Sequence, residues 1–460
     1  MKKVITIILH DRPDYTKIVL DALSKCDGIA EYLILLHIEP GNEEVLSLAK
    51  SINFAKFKII LNTEKLGIAC NTYQAWEHGF KKSDFIVHFE DDTVPAQDCL
   101  RYMEYCRQAY RDDSKVFSVS AYNRSSCKPF QYYHIYCRNP YTCWAVGIWK
   151  NRWEWVKDNW SRDPDSYAVH LTKYLAGFDL KEIYPLLSRA QNIGVERGVH
   201  VPSPEWHRQN QHTDYWAKNY NLHSGKYFEA GPLVTAVMIT GMHKSRYALA
   251  RVAIECFKKQ TYPNKELLII NHGGESLFTG DARIRELRLT KSKTDTVGDL
   301  RNLGLKYADG EYIISWDDDD WHHPKRIQTQ MTAQLDGSAV FLKHRINYSF
   351  KNGCALYDVA AKGAEATILH PKNVEFRYPS LLRGSDTTFA NSFKKRIALD
   401  NDPALYIRFY HGLNLWDDGH IMRHLAGSQF KNEFQINPDH KRLLNKILPS
   451  YHDWNRPKAI

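Results

Sequence analysis

An acidic cluster occurs twice in this chain, each time directly after an apolar run of strand length. Phe85-Ile86-Val87-His88-Phe89 leads into Glu90-Asp91-Asp92, and Tyr312-Ile313-Ile314-Ser315-Trp316 leads into Asp317-Asp318-Asp319-Asp320. A buried strand that delivers carboxylates to its C-terminal edge places them where open α/β sheets bind ligands. Adjacent carboxylates raise each other's energy unless a proton or a cation intervenes. Hard divalent ions such as Mg²⁺ or Mn²⁺, which bridge carboxylate and phosphate oxygens, suit such a place. One cluster reads equally well as a solvated turn. Two in matched contexts predict a duplicated fold.

The surrounding pattern repeats as well. Val4–Leu9 reads as a strand, followed by the polar turn His10-Asp11-Arg12-Pro13 and a helix with Ile18, Leu20, Leu23 and Cys26 on one face. A second strand, Glu31–Leu36, runs into His37-Ile38-Glu39. The order restarts with the strand Val234–Ile239, the polar segment His243–Arg246, a helix over Leu249–Phe257 and the strand Leu267–Ile270 before Asn271-His272. Strands alternating with helices at this spacing predict an α/β fold, two mostly parallel Rossmann-like sheets in tandem. Gly and Pro gather in 223–232, so the expected domains are 1–228 and 229–425, with a helix and surface coil over 426–460.

At 460 residues the chain is long enough for two or three cores. No run approaches the roughly 20 apolar residues of a membrane span. The opening Met1-Lys2-Lys3-Val4 stretch has too short an apolar run and no small-residue cleavage site, and reads as a first strand, which makes a cytoplasmic location the expectation. Nine cysteines without a CxxC pair argue against a disulfide framework or a structural zinc site. The net charge of +9 is compatible with phosphate-bearing ligands, anionic glycans, nucleic acid or a bilayer surface, and selects none of them.

Several motifs then fall in register with a known group. Gln260-Thr261-Tyr262-Pro263, Leu300-Arg301-Asn302, Ala308-Asp309-Gly310-Glu311-Tyr312-Ile313 and Asp317–Asp320 with Pro324 stand in the order of inverting family 2 glycosyltransferases of GT-A fold, which residues 233–425 resemble. More loosely, residues 1–195 resemble N-acetylglucosaminyltransferase I through Arg12-Pro13-Asp14-Tyr15, Glu90-Asp91-Asp92 and Cys143–Trp149. The resemblance implies a nucleotide-sugar donor, taken as UDP-linked, a divalent cation (Mn²⁺ or Mg²⁺), and transfer with inversion to a glycan or other hydroxyl acceptor.

Carried onto this chain, the resemblance assigns the ion to Asp92 and Asp319, with Asp320 adjacent on the ion or its bound water and His411 and His200 approaching the ion or the diphosphate. Glu90, Asp91, Asp317 and Asp318 fall to the donor's ribose or to metal-bound water. His10, Arg12, Glu39 and Lys65 fall to the donor in the first half, and His243, Asn271 and Arg301 in the second. The family's acidic pair after the second strand is replaced by Asn271-His272 in the second half and by His37 and Glu39 in the first. The base is assigned to Asp386, with a helix N-cap as the competing role. In the first half it is assigned to Asp165, where Asp163, Glu154 and a plain turn at Pro164 compete. Ser188–Gly194 reads as a polar loop over the diphosphate, with Arg189 facing the phosphates.

Three functions therefore stand open from the sequence: two glycosyltransferase domains acting in sequence on one glycan; a DNA glycosyltransferase acting on hydroxymethylated bases; and one active domain beside a silent binding module. The diffuse basic charge, without a Lys/Arg stripe interleaved with aromatics, gives the DNA acceptor no specific support. No GxGxxG follows either first strand, which sets dinucleotide oxidoreductases aside.

Overall fold

The structure is a computed structural model and describes residues 2–124, 126–138, 141–162, 167–195, 203–205, 226–241, 246–277, 279–290, 296–335, 337–381, 383–412, 414 and 436–452. The chain divides into two compact units, Met1–Ala230 and Gly231–Ile460.

In the first unit, β1 (Lys3–Leu9), β2 (Tyr32–Ile38), β3 (Lys56–Leu61) and β4 (Phe85–Glu90) are parallel, in the spatial order β3-β2-β1-β4. Helices α1 (Pro13–Leu23), α2 (Glu43–Lys50) and α3 (Gly67–Phe80) supply the crossovers. Pro13 at the first turn of α1 costs no hydrogen bond there, and Asn42 caps α2 by accepting from the Glu44 and Val45 amides at 3.1 Å. Side chains alternate across β1: Ile5, Ile7 and Leu9 enter one core, Val4 and Ile8 the other. Each such fully buried aliphatic stabilises the fold by about 1.5–3 kcal/mol. Helix α1 buries Val19, Leu20 and Leu23, whereas Ile18, expected on that face, is 47% exposed.

Beyond β4 the sheet continues through β8 (Val146–Trp149), β6 (Val116–Ser120), β9 (Lys181–Pro185), β7 (His134–Arg138) and β11 (Phe228–Glu229) to nine strands. This part is mixed, with β8 antiparallel to both its neighbours, β6 parallel to β9, and β7 antiparallel to β9 and parallel to β11. Pairing of β11 with β7 is why the units divide after Ala230 rather than after 228. A separate ribbon pairs β5 (Thr93–Pro95) with β10 (Ala190–Asn192).

The second unit repeats this arrangement. Strands β12 (Val234–Thr240), β13 (Lys265–Asn271), β14 (Ile284–Arg288) and β15 (Tyr312–Ser315) are parallel in the order β14-β13-β12-β15. The register is preserved at the strand ends: the Glu39 amide donates to Leu9 O and the His272 amide to Thr240 O, both at about 3 Å, while Lys3 is paired with Tyr32 as Val234 is with Lys265. The crossover helices are α7 (Arg246–Lys258) and α8 (Val297–Tyr307), the latter opened by a capping box between Thr296 and Asp299. Among the described residues the sheet continues into β20 (Leu369–Pro371), β17 (Ala339–Leu342) and β21 (Arg396–Leu399). A smaller sheet joins β16 (Trp321–His322), β22 (Tyr406–Tyr410), β18 (His344–Ser349) and β19 (Cys354–Val359). Near the end of the described chain, the helices Pro438–Ile447 and Pro449–His452 seat Leu444, Ile447 and Tyr451 in the second unit's core. No described helix is long and apolar enough to cross a membrane.

Candidate active site

Both acidic clusters stand at the C-terminal end of the strand next to the first strand of their sheet, where the order of connection reverses. In the second unit, Arg246, the first residue of α7, faces the cluster. Its guanidinium meets the Asp318 carboxylate and lies 2.8 Å from Asp319 Oδ2. His411 Nε2 lies 3.0 Å and Asn414 Nδ2 3.2 Å from that same oxygen. Burial opposes ionisation of Asp319, but the charge of Arg246 and then the His411 contact outweigh it and hold the carboxyl below the usual range. Asp317 and Asp318 are pushed up by burial, against the opposing pull of Arg301 and Arg246 respectively.

Asp320 turns the other way. Tyr406 Oη donates to its Oδ2 and the Phe409 amide to its Oδ1 at 2.9 Å. Both oxygens accept a hydrogen bond from the fold, and burial with the charges of Asp319 and Asp317 drives its pKa well up.

A cavity of about 280 Å³ opens beside the cluster, lined by Arg246, Arg301, Asp317, Asp318, Trp316 and Tyr378 among others. Arg301 lies over the Tyr378 ring, with Nη1 3.4 Å from Ser385 Oγ and 3.7 Å from Asp386 Oδ2. Asp386 is in the first turn of α10 (Ser385–Asn391), and its side chain is 33% exposed. Close packing makes this approach possible: a Cβ on Gly298 of α8 would fall 1.9 Å from Pro379 O.

Asn271 does not face this cavity's polar groups. Its amide donates to Glu286 Oε1 and Glu275 O, both at 2.6 Å, and its Oδ1 accepts from Tyr247 Oη and the Gly273 amide. All four hydrogen-bonding positions of this side chain are thus taken up by the fold. By register His272, not Asn271, is the counterpart of Glu39. His243 lies outside the described residues.

In the first unit Arg12 plays the part of Arg246. Its guanidinium meets Asp91, with Nε 3.1 Å from Oδ2, and Nη1 lies 3.0 Å from Asp92 Oδ2. Asn192 Nδ2 donates to Asp92 Oδ1 at 3.0 Å. The His10 amide reaches Asp91 Oδ2 at 3.4 Å, while its ring stands by Asp11. Glu90 is buried under Tyr167 Oη at 3.2 Å, and burial, then Asp92 and Asp91, push it up to about 8. Asp92 is pushed up to about 6 by burial against the pull of Arg12.

Glu39, at the end of β2, accepts the Leu66 amide on Oε2 at 3.0 Å, and its buried Oε1 has no partner among the described residues. Lys65 beside it is exposed. His37 stacks on His78 with centroids 5.1 Å apart and burial lowers it to about 4, so it is core rather than base-contacting. Glu154 is tied to Lys157 on the surface. Asp163, Asp165 and His200 lie outside the described residues.

Arg189 is fully buried, with Nε 3.1 Å from Asp98 Oδ2 and Nη1 donating to Leu187 O. The segment predicted as a loop holds β10, zipped onto β5.

A hard divalent ion fits the second cluster in part. Asp319 and His411 supply an oxygen and a nitrogen side by side, and an ion that keeps waters and substrate phosphates needs only one or two protein carboxylates. Among the described residues no group of three or more His, Cys, Asp or Glu side chains forms a complete cage. In the first cluster the described donor set is Asp92 alone.

Residues 242–355 match the sequence model of a family described as glycosyl transferase family 2. An uncharacterised glycosyltransferase from Rickettsia felis is 33% identical over 96 residues, 19% of this chain; the match spans only 15% of that protein's length. Among solved structures, Staphylococcus aureus TarS 1-349 in complex with UDP gives a TM-score of 0.32 at 12% identity, over 48% of this chain and 81% of that one. Mannosyltransferase PcManGT from Pyrobaculum calidifontis, in complex with GDP-Man and Mn²⁺, gives a TM-score of 0.32 at 14% identity, over 43% and 59% of the two chains.

Proposed function

We propose that the chain is a bifunctional, nucleotide-sugar-dependent glycosyltransferase with one donor site at each acidic cluster, transferring sugars with inversion to hydroxyls of a glycan acceptor. One coincidence carries this reading. The family 2 match covers Asp317–Asp320, and two of those aspartates share a cavity with Arg246 and with Arg301, which reaches Asp386.

In the second unit Asp386 is the base. Its part-exposed carboxylate takes the proton of the acceptor hydroxyl as that oxygen attacks the anomeric carbon and the diphosphate departs on the opposite side. Arg301 holds Asp386 and, with Arg246, offers positive charge to the departing diphosphate. Asp319 and His411 would hold the divalent ion, Mn²⁺ or Mg²⁺, which when bound adds positive charge at the leaving group. In the first unit the unpartnered Glu39 Oε1 is an acceptor for the N–H of a pyrimidine base, in keeping with a UDP-linked donor.

A second reading leaves the first unit as a silent binding module. It is favoured by the family match lying wholly in the second unit and by Arg12 and Asn192 engaging both oxygens of Asp92. Donor hydrolysis and transfer across a panel of UDP- and GDP-sugars, with Mn²⁺ or Mg²⁺, decides between them in Asp92→Ala and Asp319→Ala variants. Two activities, each lost with one substitution, support bifunctionality. If Asp92→Ala leaves every activity intact the first unit is silent, and if Asp319→Ala also does, the proposal fails.

A further inference from the structure

We propose that Arg246 is a resident counter-cation that holds a divalent ion off Asp319 until a nucleotide diphosphate draws the guanidinium away. The inference rests on the donor-site reading above and adds an order of events to it.

Convergence on one atom is the observation. Arg246, His411 and Asn414 all reach Asp319 Oδ2, at 2.8, 3.0 and 3.2 Å. That oxygen is the one an ion shared with His411 would take, and the guanidinium stands in its place. The first unit reproduces the arrangement with different neighbours: Arg12 spans Asp91 and Asp92, and its Nη1 lies 3.0 Å from Asp92 Oδ2. Both arginines stand at the mouth of the first crossover helix, Arg12 at the N-cap of α1 and Arg246 as the first residue of α7. A guanidinium bridging two acids of the cluster is thus part of the repeated arrangement, while the other cluster contacts differ.

Electrostatics supplies the device. Two buried carboxylates with no cation between them are costly, and a bridging guanidinium relieves them. A doubly charged ion added to the same oxygen is repelled by the guanidinium, which lowers its affinity by about tenfold or more at such separations. A diphosphate is a better bidentate partner for arginine than one shared carboxylate oxygen, and a helix N-terminus favours it further. Arg246 already lines the cavity with Asp317 and Asp318, so a diphosphate entering there meets it. Ion and nucleotide then bind cooperatively, and the coupling is reciprocal.

The test is Mn²⁺ titration of the full chain followed by EPR of the free ion, with and without UDP or GDP. An Asp92→Asn background ensures that only the second unit's site reports. Arg246→Gln is expected to tighten Mn²⁺ binding without nucleotide by about tenfold or more and to shrink the nucleotide-induced gain by a similar factor. Unchanged or weaker Mn²⁺ binding in that variant overturns the inference while leaving the donor-site reading standing. Should Arg246→Gln not fold, Arg246→Lys carries the test. A single ammonium spans two carboxylates poorly, so Mn²⁺ alone binds several-fold tighter, and unchanged affinity overturns the inference. Absence of Mn²⁺ binding by the Arg246 protein with either nucleotide overturns both readings together.

Discussion

Asp320 Oδ1 accepts the backbone amide of Phe409 at 2.9 Å, which ties the fourth acid of the second cluster to the strand that leads to His411. Its neighbour Asp319 faces the opposite way, toward Arg246 and His411. One acid is therefore tied to Tyr406 and Phe409, and its neighbour to Arg246 and His411. Asp320→Ala strands the Phe409 amide in the interior and leaves Tyr406 Oη only Asp317 Oδ2, 3.1 Å away, and is expected to cost about 2–4 kcal/mol in urea unfolding. Asp319→Asn should abolish Mn²⁺-dependent transfer and should also cost stability at neutral pH, because Arg246 and His411 hold the ionised carboxyl below its usual range. Mn²⁺-dependent transfer retained in Asp319→Asn would refute this division of labour.

Arg301 reaches Asp386 at 3.7 Å and Ser385 at 3.4 Å, so a change in either partner should be felt at the acceptor hydroxyl. Asp386→Asn removes the proton acceptor and keeps the shape. Steady-state assays should show transfer reduced by about 10²–10⁴-fold, with UDP affinity little changed. Nucleotide affinity falling in parallel with transfer would instead place Asp386 on the donor.

The parallel half of each sheet was legible because strands buried on both faces read as unbroken apolar runs, and the clusters after β4 and β15 are contiguous in sequence. The pairing of Arg246 with Asp318 was not, since it depends on how a helix start packs beside a strand end far along the chain. Nor were the partners of Asn271 legible, because the same amide that can read a base can also lock a turn. The burial of Arg189 was hidden for a related reason: a polar stretch ending in Gly194 looks like a loop until its pairing with β5 is seen. Nothing in the spacing of Asp320 separates it from Asp319. Tyr406, 86 positions later, decides which way it turns.

Gly194 packs directly on the first cluster. A Cβ there would lie 2.3 Å from Asp92 Oδ2, nearer than any real contact, and the flanking Ile193 amide is already bonded to Asp92 O at 2.8 Å. Gly194→Ala must therefore displace the Asp92 carboxylate from Arg12. Any donor hydrolysis that depends on Asp92 should drop about tenfold or more, with the second unit's activity unchanged. Intact Asp92-dependent hydrolysis in Gly194→Ala would show that this carboxylate position is not the working one.

His370 gives the fold a pH dependence of definite sign. It is buried against Phe389 and Phe393, its Nδ1 bonds Pro371 O at 2.8 Å, and burial lowers its pKa from 6.5 to about 4. Between those two values the unfolded chain holds the extra proton, so stability is complete above about pH 6.5 and falls as the pH drops, by up to about 1.4 kcal/mol per pH unit for this one group. His370→Phe forfeits the bond to Pro371 O and should cost about 1 kcal/mol at pH 7.5. It also removes the titration, so the deficit should vanish and then reverse near pH 5. Urea unfolding of the two proteins from pH 7.5 to 5 reads the crossing directly. Parallel curves across that range would mean that His370 is not held neutral.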